Sequence, residues 1–276
     1  MTPFLFVWIT LDYIFRNKRL FNFFAMRKFI VLAASVLILN SSCDLVEDLG
    51  LSDSEIAEGL KTALEVGTDS SVFKTSAVDG FYKNAALKIL LPPEAEIIIQ
   101  NIKSVPLGDQ LLESVILRIN RSAEDAAKSA APIFKNSIRN LSISDALTIL
   151  NGVNPSSKKK SASFDSTAAT GYLKNTTFNQ LTDAFSVPIN QSLDKELAGI
   201  STNEAWTNLT TAYNLYAVFN LKRQVNTNLG EYATKKALDG LFLKVGEEEM
   251  KIRRDPWKWV TTTVGNILTK VFGSTS

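Results

Sequence analysis

The chemistry open to this chain is narrow, because its 276 residues include one cysteine and no histidine. A Ser-His-Asp triad, a Cys-His nucleophile pair and His-ligated zinc or haem are all excluded. Carboxylate chemistry, Ser-Lys chemistry and oxygen-ligated calcium or magnesium remain. The carboxylates best placed for such work are Glu124, Asp145 and Asp239. Asn120 and Glu124 stand one helical turn apart and fall at the margin of an apolar face, with Arg121 expected to point away. They suit either a polar patch lining a ligand cleft or a buried hydrogen-bond network joining two helices. The network is the preferred reading, since paired polar side chains near a core serve packing. Asp145 is placed to stabilise a helix N-terminus through first-turn amides. Glu247, Glu248 and Glu249 with Arg253 and Arg254 read as a solvated helix carrying surface ion pairs. Calcium is disfavoured there because no Asp-x-Asp-x-Asp-Gly loop accompanies them. The sequence calls for no metal and no cofactor.

The lone cysteine has a different use. From Met26 the chain runs through the basic pair Arg27-Lys28, an apolar stretch Phe29–Leu39, the polar triplet Asn40-Ser41-Ser42, then Cys43. The apolar stretch is shorter than the roughly 20 residues a membrane span needs and falls within the 7–15 of a secretory h-region. The layout resembles a bacterial lipoprotein signal, in which the thiol takes a diacylglycerol and becomes the mature N-terminus. The box is relaxed: Leu39 is one place further from Cys43 than usual, and Ser42 replaces Gly or Ala. Residues 1–25 are read as lying upstream of the true start at Met26, against the alternative of a second membrane segment. The expected organisation is a targeting segment 1–42 (with 26–42 the signal peptide), a lipidated tether 43–53 and a single helical domain 54–276.

Removing residues 1–42 takes away Arg16, Lys18, Arg19, Arg27 and Lys28 but only one acid, Asp12, so the remainder is close to neutral. Nothing in that balance argues for nucleic acid. With a single cysteine the mature domain must be held by its core rather than by disulfides.

The elements that position these residues read as helices. Ser52-x-x-Glu55 is a capping box, followed by Ile56, Leu60, Ala63 and Leu64 at helical spacing, with Gly67 expected to stop the helix. Leu87–Leu91, closed by Pro92-Pro93, reads as a strand or an extended arm, so any β structure is expected near residues 74–92. Glu94–Ile102 reads as a short helix. Leu107–Ala130 carries the strongest apolar stripe, interrupted by Pro132. Ser144 is expected to cap a helix over Asp145–Leu150, ended by Asn151-Gly152. Asn154–Asp165, with Lys158-Lys159-Lys160, reads as a solvated loop. Phe178–Leu197 forms a further stripe that Pro188 should bend or break. Trp206, Leu209, Tyr213, Tyr216 and Phe219 form an aromatic stripe expected in the core. Trp257, Lys258 and Trp259 keep an interfacial role open. Leu229–Val245 forms another stripe, Asp255-Pro256 a further helix start, and Val264–Phe272 closes the chain. The fold class is all-α, a multi-helix bundle-like domain.

Several local words resemble a bacterial family of unknown function, DUF4197. They are Gly59-Leu60-Lys61-x-Ala63-Leu64, Leu91-Pro92, Asn120-Arg121-Ser122-Ala123-Glu124, Asp145-Ala146 with Ile149-Leu150-Asn151-Gly152, Ala168-Ala169-Thr170-Gly171-Tyr172-Leu173, Leu238-Asp239-Gly240-Leu241-Phe242 and Glu247-Glu248-Glu249 with Ile252-Arg253, Asp255-Pro256 and Val271-Phe272-Gly273. The resemblance implies a helical, exported, often lipid-anchored protein and no particular activity. The sequence as a whole favours a non-catalytic binding or structural lipoprotein of the cell envelope, periplasm-facing or at the outer membrane. Its partners would be the membrane, through Cys43, and another envelope protein or an apolar ligand, with no nucleic acid. The alternative is a lipid-anchored hydrolase or transferase using Glu124, Asp145 and Asp239.

Overall fold

Helix α1 begins where the capping box places it. Ser52 Oγ accepts from the Glu55 amide and the Glu55 carboxylate accepts from the Ser52 amide at 2.8 Å. This computed structural model describes residues 52–96, 99, 108–157, 163–197, 199–219, 221, 224, 226 and 228–259. Cys43, the targeting segment, the tether to residue 51, Lys158–Lys160 and Val264–Phe272 lie outside the described residues.

The described elements are helices α1 (Asp53–Ser76), α2 (Gly108–Ala127), α3 (Ala130–Arg139), α4 (Ile143–Leu150), α5 (Ala168–Leu193), α6 (Thr202–Phe219) and α7 (Leu229–Arg254), with short 3-10 turns at Pro93–Ala95 and Pro256–Trp259. The class is all-α. A two-residue antiparallel pair, Glu196–Leu197 with Ile200–Ser201, turns the chain between α5 and α6. The short β element expected near residues 74–92 does not form. Leu87 ends a turn in which its amide and that of Lys88 donate to the Asn84 carbonyl, and the arm then runs extended to Leu91, with a side chain bonding the Ile89 backbone in place of a neighbouring strand. Of the expected Glu94–Ile102 helix, the 3-10 turn and the helical residues Glu96 and Ile99 are described.

Three expected breaks fall elsewhere. Gly67 does not stop α1, which runs on to Ser76 with Gly67, Thr68, Ser71 and Thr75 all buried. The hydroxyls of Thr68, Ser71 and Thr75 each donate to the carbonyl four residues back, at 2.7–2.8 Å. The helix thereby buries a small, self-satisfied polar face. A Cβ on Gly67 would sit 3.2 Å from Ile252 Cδ1, so the glycine sets how closely α1 and α7 approach. Pro188 lies inside an unbroken α5. An interior proline costs about 3 kcal/mol or more, offset here by Leu181, Phe185, Ile189 and Leu193, all fully buried. Pro132 does not interrupt a helix either. The break comes at Lys128-Ser129, and Pro132 sits in the first turn of α3, where its missing N–H is not needed. Finally, α4 starts one residue-pair earlier than expected: Ser142, not Ser144, is the cap, its Oγ accepting from the Asp145 amide at 3.0 Å.

Helix α7 packs against α1, α5 and α2, and α5 packs against α2 and α3. The core gathers Ile119, Phe134, Ile138, Ile149, Leu173, Phe185 and Leu241, each essentially without exposure. Phe134 and Phe242 meet edge to face at 5.9 Å. The aromatic stripe of α6 is only partly core. Trp206 is buried, but Phe219 is 78% exposed. The side chains of Leu209, Tyr216, Trp257 and Trp259 lie outside what is described.

Candidate functional site

Two polar residues of α2, one turn apart, pin the chain that follows α1. Glu124 Oε1 accepts from the amides of Phe81 and Tyr82, both at 3.1 Å. Its Oε2 accepts from Arg121 Nη1 at 2.7 Å, and Arg121 Nη2 reaches Asp79 at 2.7 Å. Arg121 therefore does not point away; it closes the network. Asp79, in a left-handed conformation at φ 70°, holds the turn. Bonds from Lys83 and then Arg121 keep its carboxyl below the ordinary carboxylate value. Asn120 completes the pinning. Its Oδ1 accepts from the Ile89 amide and its Nδ2 donates to the Ile89 carbonyl, both at 2.8 Å. One side-chain amide thus offers the arm what a paired strand would. A third bond ties Nδ2 to the Ile116 carbonyl. Asn120 is fully buried and Glu124 is 4% exposed.

The pinned arm forms one wall of a groove of about 640 Å3. Leu87, Ile89, Leu91 and Pro92 supply that wall, Leu112 and Ile116 of α2 the floor, and Tyr232, Gly240 and Leu243 of α7 the far side. Its size lies within the usual range for small-molecule sites, and its lining is mostly apolar. The α7 wall is built at helical spacing, since Tyr232, Lys236, Gly240 and Leu243 step by four, four and three. A Cβ on Gly240 would sit 2.8 Å from the Phe81 ring, so glycine there lets the arm's anchor close against α7. Four charged residues reach the lining: Lys88, Glu96, Lys236 and Asp239.

The structure brings Asn120, Arg121 and Glu124 together and leaves the other two candidates elsewhere. Asp145 accepts from the Ser142 hydroxyl at the start of α4. Asp239 lines the groove and stands 3.9 Å from Lys174. Among the described residues no group of three or more potential metal ligands gathers, and no helix is long and apolar enough to cross a membrane.

A second polar centre was not legible as such. The acidic run of α7 is not a solvated face: Glu248 is fully buried and Glu249 is 6% exposed. Glu249 accepts from the amides of Ala169 and Thr170, at 3.0 and 2.8 Å, and from the Thr170 hydroxyl. Thr167, at the N-cap of α5, makes no side-chain cap of its own, so Glu249 caps that helix from outside. Arg253 grips Glu249 at 2.8 Å and donates to the carbonyls of Ile149 and Leu150, the last turn of α4. The pair sets a negative group at one helix start and a positive group at another helix end, as the helix dipoles favour. Glu248 receives Lys74 at 2.7 Å, Lys251 at 2.9 Å and the Ser70 hydroxyl, joining α1 to α7. Burial pushes its carboxyl up, but the bonds from Lys74 and Lys251 outweigh that and leave it below the ordinary value.

The family model for proteins of unknown function, DUF4197, matches residues 50–273. The chain belongs to the DUF4197 family. No curated protein and no solved structure matches it. The words by which the chain resembles DUF4197 fall on the contacts just described. Asn120–Glu124 holds the arm, Leu91-Pro92 and Asp239-Gly240 line the groove, and Ala168–Thr170, Ile149-Leu150 and Glu249–Arg253 meet at the double cap. The DUF4197 residues that only the structure assigns to the groove are Leu112, Ile116, Tyr232, Lys236 and Leu243. The four on α7 and α2 other than Lys236 carry an apolar-margin signal, but nothing local says which margin opens to solvent.

Proposed function

We propose that this DUF4197 protein is a lipid-anchored, non-catalytic binding module of the bacterial cell envelope that holds an apolar ligand between its arm and helices α2 and α7. The observation that carries this reading is the division of labour among its carboxylates. Glu124 is spent on two backbone amides and an arginine, and Asp145 on a helix start. Only Asp239 of the three candidate acids reaches the groove, whose walls are otherwise mostly hydrocarbon. Glu96 is a second carboxylate in the lining, but a mostly apolar groove with few polar groups suits binding rather than carboxylate catalysis. The anchor rests on the run Arg27-Lys28, Phe29–Leu39 and Cys43.

The anchor is tested by replacing Cys43 with Ser in cells fed radiolabelled palmitate. The expected result is loss of label and accumulation of unprocessed precursor. Label retained by the Cys43→Ser protein would end the lipoprotein reading. The groove is tested with Leu243→Glu, which sets a charge on its wall at a half-exposed position. That variant is expected to keep its denaturation midpoint while losing uptake of an uncharged apolar fluorescent probe, N-phenyl-1-naphthylamine. Unchanged uptake would remove the groove from the proposal.

A further inference from the structure

The groove's charges are unevenly engaged. Lys88 lies 3.4 Å from Glu113 and stacks over the Tyr82 ring. Asp239 faces Lys174, and Glu96 is also engaged. Lys236 differs. Its recorded contact is with the Tyr232 ring, 5.9 Å from the centroid, and no carboxylate among the described residues forms an ion pair with it. It stands one turn above Gly240 on the α7 wall, its long stem beside the apolar lining and its ammonium free for an anion. An apolar trough with one uncompensated cation at its wall is complementary to a molecule with a hydrocarbon body and a single negative end. We infer that the groove binds a single-chain anionic amphiphile, the acyl chain lying along Leu87, Ile89, Leu112, Ile116 and Leu243 and its carboxylate or phosphate meeting Lys236.

This inference deepens the proposed binding role and rests on it, so its test must separate the two. Residues 44–276 contain the whole compact unit Ser52–Ser276 with its core, and can be purified without the lipid. Isothermal titration would use palmitate, lysophosphatidic acid, hexadecanol and hexadecyltrimethylammonium below their aggregation concentrations. Saturable one-to-one binding is expected for the two anions, weaker binding for the alcohol, and none for the cation. Lys236→Gln should weaken palmitate about fivefold or more, as loss of one partly exposed charge contact implies, and leave hexadecanol unchanged. Lys236→Arg should restore most of the palmitate affinity. Leu243→Glu should abolish both.

Palmitate and hexadecanol binding equally, with Lys236→Gln without effect, would overturn the anionic head while leaving an apolar ligand in place. Failure of every amphiphile to bind would overturn both readings. A second copy of the chain as occupant would also overturn the inference. It would appear as a dimer in sedimentation that Leu243→Glu dissociates and palmitate does not. Circular dichroism of each variant, matching the parent, excludes misfolding as the cause of lost binding.

Discussion

The α7 end of the molecule and helix α6 are built on opposite terms. Around Glu248, Glu249 and Arg253, buried charges are all paired, and each of the three also bonds to another element. Glu249 caps α5, Arg253 closes α4, and Glu248 holds α1. Among the described elements helix α6 touches its neighbours lightly, packing on α7, the small strand pair and α5. It exposes Leu215, Val218 and Phe219, each more than half exposed. Among the described residues Thr202 Oγ1, at its start, is buried without a hydrogen-bond partner, as is Thr234 Oγ1 on α7. Both segments are helices of ordinary length, so what differs is their coupling. A segment knitted to three others opens only when the whole unit opens, whereas a lightly packed one can open alone.

The sharpest test of that contrast is Glu249→Ala. It uncaps α5 and removes the carboxylate gripped by Arg253, whose side chain is only 9% exposed. Breaking a buried pair by removing one partner costs about 3–5 kcal/mol, so a large fall in the urea midpoint is expected. Glu249→Gln, which keeps one acceptor, should recover part of it. A loss under about 1 kcal/mol would mean that water reaches this centre and the coupling is weak.

Next comes Glu124→Ala. The Phe81 and Tyr82 amides lose their acceptor in a place water reaches poorly, at about 1–3 kcal/mol for each unsatisfied group. The arm should loosen first, seen as faster hydrogen exchange at residues 81–89 before any change in α5. Were the Glu124→Ala protein as stable as the parent while ligand uptake was lost, the residue would belong to the groove's function and not to its frame.

The acid response should follow Glu248. Its folded carboxyl lies below the ordinary value of 4.5. A depressed folded value stabilises above the unfolded pKa, and that stabilisation disappears as pH falls through the folded one. Lys74 and Lys251 are each close to half exposed, so solvent screening limits the effect to about 1 kcal/mol. Glu248→Gln should therefore be less stable than the parent at pH 7, and the difference should shrink towards zero well below pH 4.5. A gap that stays constant with pH would assign the loss to packing.

Much of the frame could be read from local sequence. Ser52-x-x-Glu55 is a capping box in fact, and the stripes of α1, α2, α5 and α7 are buried where their spacing puts them. These signals are short-range: a cap and its third residue, or apolar groups three and four apart. What escaped is long-range. Gly67 looks like a stop until Ile252 is known to press on it. Glu248 and Glu249 look solvated until the amides of α5 and Lys74 are brought to them, some 80 and 174 residues away in sequence. Asn120 and Glu124 were legible as a polar pair, but their partners, the Ile89 backbone and the amides of Phe81 and Tyr82, have no side-chain signature at all.

The smallest effect, and the one that most directly breaks the comparison, is on α6. Its buried side is Thr202, Trp206, Thr210 and Ala217, stepping by four, four and seven, with Trp206 Nε1 donating to the Asn226 carbonyl at 3.2 Å. Leu215 and Phe219 lie one turn apart on the outward side, 64% and 78% exposed. Side chains that exposed give up little water on folding, so replacing them removes almost no burial. Leu215→Ser and Phe219→Ser should each shift stability by about 0.5 kcal/mol or less, the range of ordinary surface substitutions. Amide exchange in α6 should meanwhile be faster than in α5 and α7 at the same pH. If Phe219→Ser instead lowers the midpoint by as much as Glu124→Ala does, then α6 carries its apolar end against something in solution. Sedimentation of parent and variant at several concentrations would distinguish a second copy, whose loss shifts the mass, from another segment of the same chain, whose loss does not.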